Sequence, residues 1–220
     1  MYFQCSFKAS LSSSSGASVA LLNFSTSSQI AFLCQETGHA LPPSARALPS
    51  SVEFRPFSDA GYICSAASLN GGNVLQKLVD DFRHWVRDLT GVELSNEAAW
   101  KRILELSKED DGASGIEVNA TLFGERSSPQ LTGSIANLTQ CPVPLGALFN
   151  AHCRGLARNL AALMPPGLLR AQGVRSLLGS GGCLERVPAL KRELEAAFGM
   201  VLEVGEAAGA EVGAALFAMM

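Results

Sequence analysis

The chain is poor in charge: only 17% of its 220 residues are Asp, Glu, Lys or Arg, and the net charge is −3. With no long basic run, that balance excludes an electrostatic nucleic-acid surface. No apolar run is long enough to span a bilayer. The six cysteines stand singly at 5, 34, 64, 141, 153 and 183, with no C-x-x-C pair and no metal-ligand spacing. That scatter fits a reducing compartment better than a disulfide framework. The opening Met1-Tyr2-Phe3-Gln4-Cys5-Ser6-Phe7-Lys8 has neither the charged start nor the apolar block of a signal peptide, so the cytoplasm is the expected location. The three histidines, His39, His84 and His152, sit in no catalytic motif.

What remains is an ordinary globular balance, 47% apolar, in a chain long enough to bury a full core. Alternating apolar segments at Val19–Phe24 and Gln29–Cys34 predict two strands joined by the polar turn Ser25-Thr26-Ser27-Ser28. Val52–Phe57 and Tyr62–Leu69 predict a second pair around Ser58-Asp59-Ala60-Gly61, after a proline-rich loop from Gly38 to Ser51. Ser12 to Ser15 reads as a turn. Val74, Leu75, Leu78, Val79, Phe82, Trp85, Val86 and Leu89 recur at helical spacing and predict a helix over 73–89. A second helix, Asn96 to Lys108, opens on Ser95 as its N-cap. Glu109-Asp110-Asp111-Gly112 reads as a solvated break, with a divalent-metal site as the lesser alternative.

Residues 115–144 lack a regular pattern. Leu145–Met164 then predicts a long helix with Leu148, Phe149, Leu156, Leu160 and Leu163 inward, closed by Pro165-Pro166. A strand over 174–179, a helix over 184–198, a short strand Val201–Val204 and a small-residue helix over 207–219 complete the pattern. The order is a three-strand meander, a helix, an excursion, and then helix–strand–helix–strand–helix. It predicts an α/β mixed sheet with helices against it, in one compact domain spanning 1–220. Within that domain 1–17 is expected to be an N-terminal remnant and 95–143 an excursion between helices.

Between the strand over 174–179 and its following helix lies Gly179-Ser180-Gly181-Gly182. Glycines let backbone N–H groups approach a ligand, and a helix start favours negative charge, so the turn could hold a nucleotide. The plainer account is a tight strand-to-helix turn of any α/β domain.

Five short words occur in register along the chain: Asn23-Phe24-Ser25-Thr26-Ser27, Ala66 through Asn73, Leu122-Phe123-Gly124-Glu125-Arg126, Gly179-Ser180-Gly181-Gly182, and Glu211-Val212-Gly213-Ala214-Ala215-Leu216. Together they resemble the C-terminal half of the FGGY carbohydrate kinases, from about residue 3 to the end. Within that family the likeness is to the branch that phosphorylates the seven-carbon ketose sedoheptulose. The resemblance implies a ribonuclease-H-like half-domain of the actin-like ATPase fold. It also implies ATP and Mg²⁺ as cofactor, a small sugar as substrate, and an N-terminal kinase domain as the partner across the cleft. On this likeness Ser25, Thr26 and Ser27 contact the phosphate tail, and Gly179, Gly181 and Gly182 belong to the adenosine turn. Asn70-Gly71-Gly72 lies beside the cleft, where a helix cap explains Asn70 equally well. For Gly124-Glu125-Arg126 an internal Glu–Arg brace is the expectation. Trp85 and Trp100 are expected to anchor the core or a domain interface.

The chain also departs from that pattern. No Asp-x-Gly-Thr phosphate turn occurs in it. Where the resemblance puts the general-base Asp ahead of Phe3-Gln4-Cys5-Ser6, this chain has Tyr2. A phenol with a pKa near ~10 is a poor base at neutral pH. After the adenosine turn this chain has Glu185-Arg186-Val187, where the family often places Ser or Asn. These differences imply a chain without phosphotransfer of its own, expected to be a partial kinase. The alternative is a non-catalytic nucleotide-binding or regulatory half-domain; an actin- or Hsp70-like ATPase segment fits the Gly-Glu-Arg and Asn-Gly-Gly words less well. An exposed apolar patch is expected on helix 73–89 or near the strand ends at Ser25.

Overall fold

A computed structural model describes residues 18–34, 49–56, 62–110, 114–139 and 141–205. Tyr2, the Ser12–Ser15 turn, most of the 38–51 loop, the 58–61 turn and the helix expected over 207–219 lie outside the described residues.

Six strands form one mixed sheet. In chain order they are β1 (Ser18–Phe24), β2 (Ser28–Cys34), β3 (Glu53–Pro56), β4 (Tyr62–Ser68), β7 (Val174–Ser180) and β8 (Val201–Val204), arranged β3-β4-β2-β1-β7-β8. The first four pair antiparallel, whereas β7 runs parallel to both β1 and β8. The expected meander is thus β1-β2-β4. β3 is folded back as an outer strand on β4, where its charged residues and Pro56 suit an unpaired edge.

The register follows the alternation of the sequence. Ala20, Leu22 and Phe24 of β1, Ile30 and Phe32 of β2, and Cys64 and Ala66 of β4 enter the main core. On the opposite face Leu21 and Ile63, with Leu33 and Leu178, make a smaller cluster. The helices α1 (Gly72–Thr90), α2 (Asn96–Glu109), α3 (Leu145–Leu163), α4 (Pro166–Ala171), α5 (Gly182–Arg186) and α6 (Pro188–Phe198) add to the core, with Val174 and Leu177 of β7 and Leu202 of β8. Phe149, Leu156 and Leu160 of α3 are fully buried, while Leu148 and Leu163 are only partly so.

Three features differ from expectation. A two-stranded sheet of β5 (Glu117–Asn119) and β6 (Ser134–Ala136) forms within 115–144. Three-residue strands are too short to show alternation. The helix expected over 184–198 is broken into α5 and α6 at Val187, whose φ of −118° and ψ of 85° are extended. Pro188 forces that break, because a proline ring disfavours helical geometry in the residue before it. The apolar stripe of α1 is buried only at its start: Trp85 is 51% exposed and Leu89 86%. Val92, two residues beyond the helix, is exposed as well.

Gly181 has φ of +110°, and a Cβ there would lie 2.4 Å from the Phe24 carbonyl oxygen. Gly181→Ala is therefore expected to cost at least ~2 kcal/mol through left-handed strain alone. Urea unfolding followed by far-UV circular dichroism would show it, and an unchanged midpoint would contradict the close approach.

Candidate functional site

The site is built on the β1–β2 hairpin. β1 ends at Phe24, and the Ser25 amide donates to the Ser27 carbonyl (3.0 Å), closing a tight turn. The start of α1 docks directly onto it. The Gly72 amide donates to the Ser25 carbonyl (2.7 Å) and the Asn73 amide to the Thr26 carbonyl (3.1 Å). A Cβ at Gly71 would sit 2.6 Å from the Ser27 carbonyl carbon, so only glycine permits the approach. Asn73 stabilises the turn, its Oδ1 accepting from the Gly71 and Val74 amides at 2.8 and 2.9 Å.

The second wall comes from β7. Because β7 is parallel to β1, its glycine turn emerges at the same end of the sheet as the hairpin. Asn23 Nδ2 donates to Ser180 Oγ (3.2 Å) and ties the two strand ends together. Between the walls opens a cleft of about 920 Å³ lined by Ser25, Thr26, Gly72, Asn73, Phe123, Gly182, Cys183 and Arg186. Gln76, Lys77 and Asp80 of α1 and Asn96, Glu97, Trp100 and Lys101 of α2 complete it.

Of the six nucleotide-contact residues expected from sequence, Ser25, Thr26 and Gly182 line this cleft. Ser27, Gly179 and Gly181 do not line it. Ser27 packs against Gly71, Gly181 against the backbone of Phe24, and a Cβ on Gly179 would meet Leu184 and Leu202 within 2.9 Å. Tyr2 lies outside the described residues.

Sequence reasoning missed the floor of the cleft. Gln76 joins α1 to α2, accepting from Trp100 Nε1 (3.0 Å) and donating to Asn96 Oδ1 (2.9 Å). Trp100 is half-buried and meets Phe149 edge-on, with centroids 6.0 Å apart. The cleft lining carries three cations, Lys77, Lys101 and Arg186, and two carboxylates, Asp80 and Glu97. Lys77 is paired with Asp81 and Asp80 with Arg83, while Lys101 and Arg186 have no ion pair among the described residues. The balance favours an anionic ligand. Nothing in the periodicity singles these residues out, since they occupy helix faces that would otherwise meet water.

Two expectations are corrected. Gly124-Glu125-Arg126 holds no internal brace: Arg126 is exposed and pairs with Glu53 at 3.7 Å, while Glu125 is buried in a separate polar network. Arginine keeps its charge in water while the shorter carboxylate turns inward. Nor does Asn70 cap α1. The N-cap is Gly71, with no side-chain cap bond, and the buried Asn70 amide instead binds the 123–125 loop. At the acidic break, Asp110 accepts from Asn150 Nδ2 (2.8 Å), and no metal-binding cluster of His, Cys, Asp or Glu exists among the described residues. No described helix is long and apolar enough to cross a membrane.

Comparison with known proteins places this geometry. No protein-family model matches the chain. It is 33% identical over 198 residues to the human protein named sedoheptulokinase and 34% identical over 197 residues to the mouse protein of that name. Each match covers 90% of this chain, which spans only 40% of the length of those relatives. The fold matches xylulose kinase of Rhodospirillum rubrum with a TM-score of 0.72 at 18% identity, over 99% of this chain and 40% of that one. It matches Plasmodium falciparum glycerol kinase, solved with ADP, with a TM-score of 0.61 at 13% identity, over 90% and 37% respectively. The fold is thus the ribonuclease-H-like half-domain of the actin-like ATPases. The resemblance to the C-terminal part of the FGGY carbohydrate kinases, first carried by five short words, extends over nine-tenths of the chain.

Cys183 provides a probe inside the cleft. Burial pushes its thiol pKa up to about 11, against the pull of the neighbouring Arg186 cation. At pH 7.5 its thiolate is therefore scarce, and alkylation is expected to run about 100-fold slower than at an ordinary free thiol. The rate should climb about tenfold per pH unit up to pH 10. Mass-spectrometric mapping of iodoacetamide adducts, with the exposed Cys141 as internal reference, would check this. Equal rates at pH 7.5 would contradict it.

Proposed function

We propose that the chain is the ATP-side half of a carbohydrate kinase that transfers the γ-phosphate of ATP to a ketose, with sedoheptulose giving sedoheptulose 7-phosphate. One observation carries the proposal: two turns more than 150 residues apart, Ser25-Thr26 and Gly182, face the same cleft. The identity to the two sedoheptulokinases supports it. In the transfer a sugar hydroxyl attacks the γ-phosphorus and ADP leaves, so the protein's task is mainly positioning and charge neutralisation.

In this proposal the hydroxyls of Ser25 and Thr26 meet the phosphate tail, backed by Ser27. Gly182, supported by Gly179 and Gly181, leaves room for the nucleoside. Lys101 and Arg186 supply positive charge. Mg²⁺ would enter on the triphosphate oxygens, keeping several of its waters. The substrate sugar is assigned to an N-terminal kinase domain facing the cleft, and the base that deprotonates it to the position that this chain fills with Tyr2. A cytoplasmic location belongs to the same proposal; Cys34, Cys141, Cys153 and Cys183 are free thiols, as a reducing compartment keeps them.

Isothermal titration of Mg–ATP into the purified chain is expected to give a single site. Thr26→Ala should weaken it roughly tenfold, the loss of one hydrogen bond to a charged group at about 1.5 kcal/mol. Failure of the wild-type chain to bind Mg–ATP would sink the proposal. The chain on its own is expected to form no sugar phosphate, because Tyr2 stands at the base position. ATP-dependent sedoheptulose 7-phosphate above a no-enzyme blank would overturn that part.

A further inference from the structure

One buried carboxylate lies outside the proposed nucleotide contacts. Glu125 is 3% exposed, and its carboxylate accepts every hydrogen bond it makes among the described residues. Oε1 accepts from Ser68 Oγ (2.5 Å), Asn159 Nδ2 (2.6 Å) and Asn70 Nδ2 (3.0 Å), and Oε2 from the Leu69 amide (3.3 Å). It joins the end of β4, the loop before β6 and the C-terminal part of α3.

The network does not stop there. Asn70, fully buried, uses its whole amide: Nδ2 donates also to the Gly124 carbonyl (2.8 Å), and Oδ1 accepts from the Phe123 amide (3.0 Å). Its backbone is held as firmly, the amide donating to Ser68 Oγ (2.9 Å) and the carbonyl accepting from Ser28 Oγ (2.8 Å). The next three residues, Gly71 to Asn73, press on the hairpin through the Gly72–Ser25 and Asn73–Thr26 bonds. Phe123 itself lines the cleft.

We infer that Glu125 is a positioning residue for this cleft. Acting through Asn70, it fixes the Asn70–Asn73 turn and Phe123 as one wall and thereby sets the place of the Ser25–Thr26 hairpin. Glu125 contacts neither hairpin residue, so its effect is indirect. A carboxylate is required because all the approaching groups are donors. A glutamine would turn its own NH₂ towards a donor and leave one of them unsatisfied. The inference rests on the proposed nucleotide site only for its binding consequence; the coupling of Glu125 to the hairpin stands without it.

Two measurements on the full chain separate these. Hydrogen exchange read by mass spectrometry tests the coupling with no nucleotide present. Glu125→Gln is expected to raise exchange at least tenfold in peptides covering 69–75 and 23–28, while β7 and α6 keep wild-type protection. Loosening confined to 121–126 and 157–161 would overturn the inference. Titration with Mg–ATP tests the consequence. Glu125→Gln should bind at least tenfold more weakly under conditions where urea melts show it fully folded, whereas Arg126→Ala should bind like wild type. A purely structural Glu125 would lower stability and leave the affinity of the folded protein unchanged, which would also overturn it. Absence of Mg–ATP binding by the wild type would remove the kinase proposal and leave the exchange result to decide this one. Should Glu125→Gln not fold, Asn70→Ala, which keeps the Ser68 and Asn159 donors, carries the same two readouts.

Discussion

The cleft depends on the burial of Glu125. A carboxyl group out of water is tolerated only when hydrogen bonds replace its hydration, and here one hydroxyl, two side-chain amides and a backbone N–H do so. Such a group cannot shift without stranding its partners. Leaving one buried member of such a network unsatisfied typically costs ~1–3 kcal/mol, which makes the arrangement a rigid reference point. Strand β4, helix α3 and the loop carrying Phe123 all meet at it. No buried side-chain polar atom is left unsatisfied among the described residues, so the network holds by completeness rather than by any single strong bond.

Topology does the rest. β1 is the strand where the sheet changes character, antiparallel towards β2 and parallel towards β7. An antiparallel neighbour returns through a hairpin at the carboxyl end of β1. A parallel neighbour also releases its chain at that end, into α5. The two turns are thereby brought together however far apart they lie in sequence, and a crevice beyond the carboxyl ends of the strands follows, as in open α/β sheets generally. The helices α1 and α2 then close the crevice, with Gln76 bridging them and Trp100 backed by Phe149.

What the sequence discloses follows the range of the interaction. Strands β1, β2 and β4 show as alternation, and α1 shows as a stripe, because each pattern repeats within a few residues. The break at Val187 is also local, and Pro188 announces it. The polar network is invisible for the opposite reason. Glu125 bonds partners 34 to 57 residues away, and no periodicity relates Asn70 to Phe123 or Ser68 to Asn159. Adjacency suggested Arg126 as the partner of Glu125, but neighbours in an extended loop point apart, and the longer cation reaches water while the carboxylate turns inward. The β5–β6 pair was hidden by its brevity, and the cleft floor by lying on faces that an isolated helix would show to solvent.

The glycines carry the most instructive shift in meaning. Read from sequence, Gly179 to Gly182 look like space left for a ligand, and Gly71-Gly72 like a turn beside it. In the structure Gly71, Gly72, Gly179 and Gly181 leave space for the protein itself, three of them against backbone. A Cβ on Gly181 would strike the Phe24 carbonyl at 2.4 Å, one on Gly72 the Ser25 carbonyl at 2.6 Å, and one on Gly71 the Ser27 backbone at 2.6 Å. Glycines from two distant turns thus grip successive peptides of one hairpin from Phe24 to Ser27. The grip explains how a short Ser-Thr-Ser turn, which alone would be mobile, can present hydroxyls at a fixed place. Only Gly182, of the four residues in the β7 turn, is left to face the cleft. The chain therefore uses its glycines chiefly to make the hairpin rigid, and any phosphate chemistry there would draw on that rigidity rather than on glycine N–H groups alone.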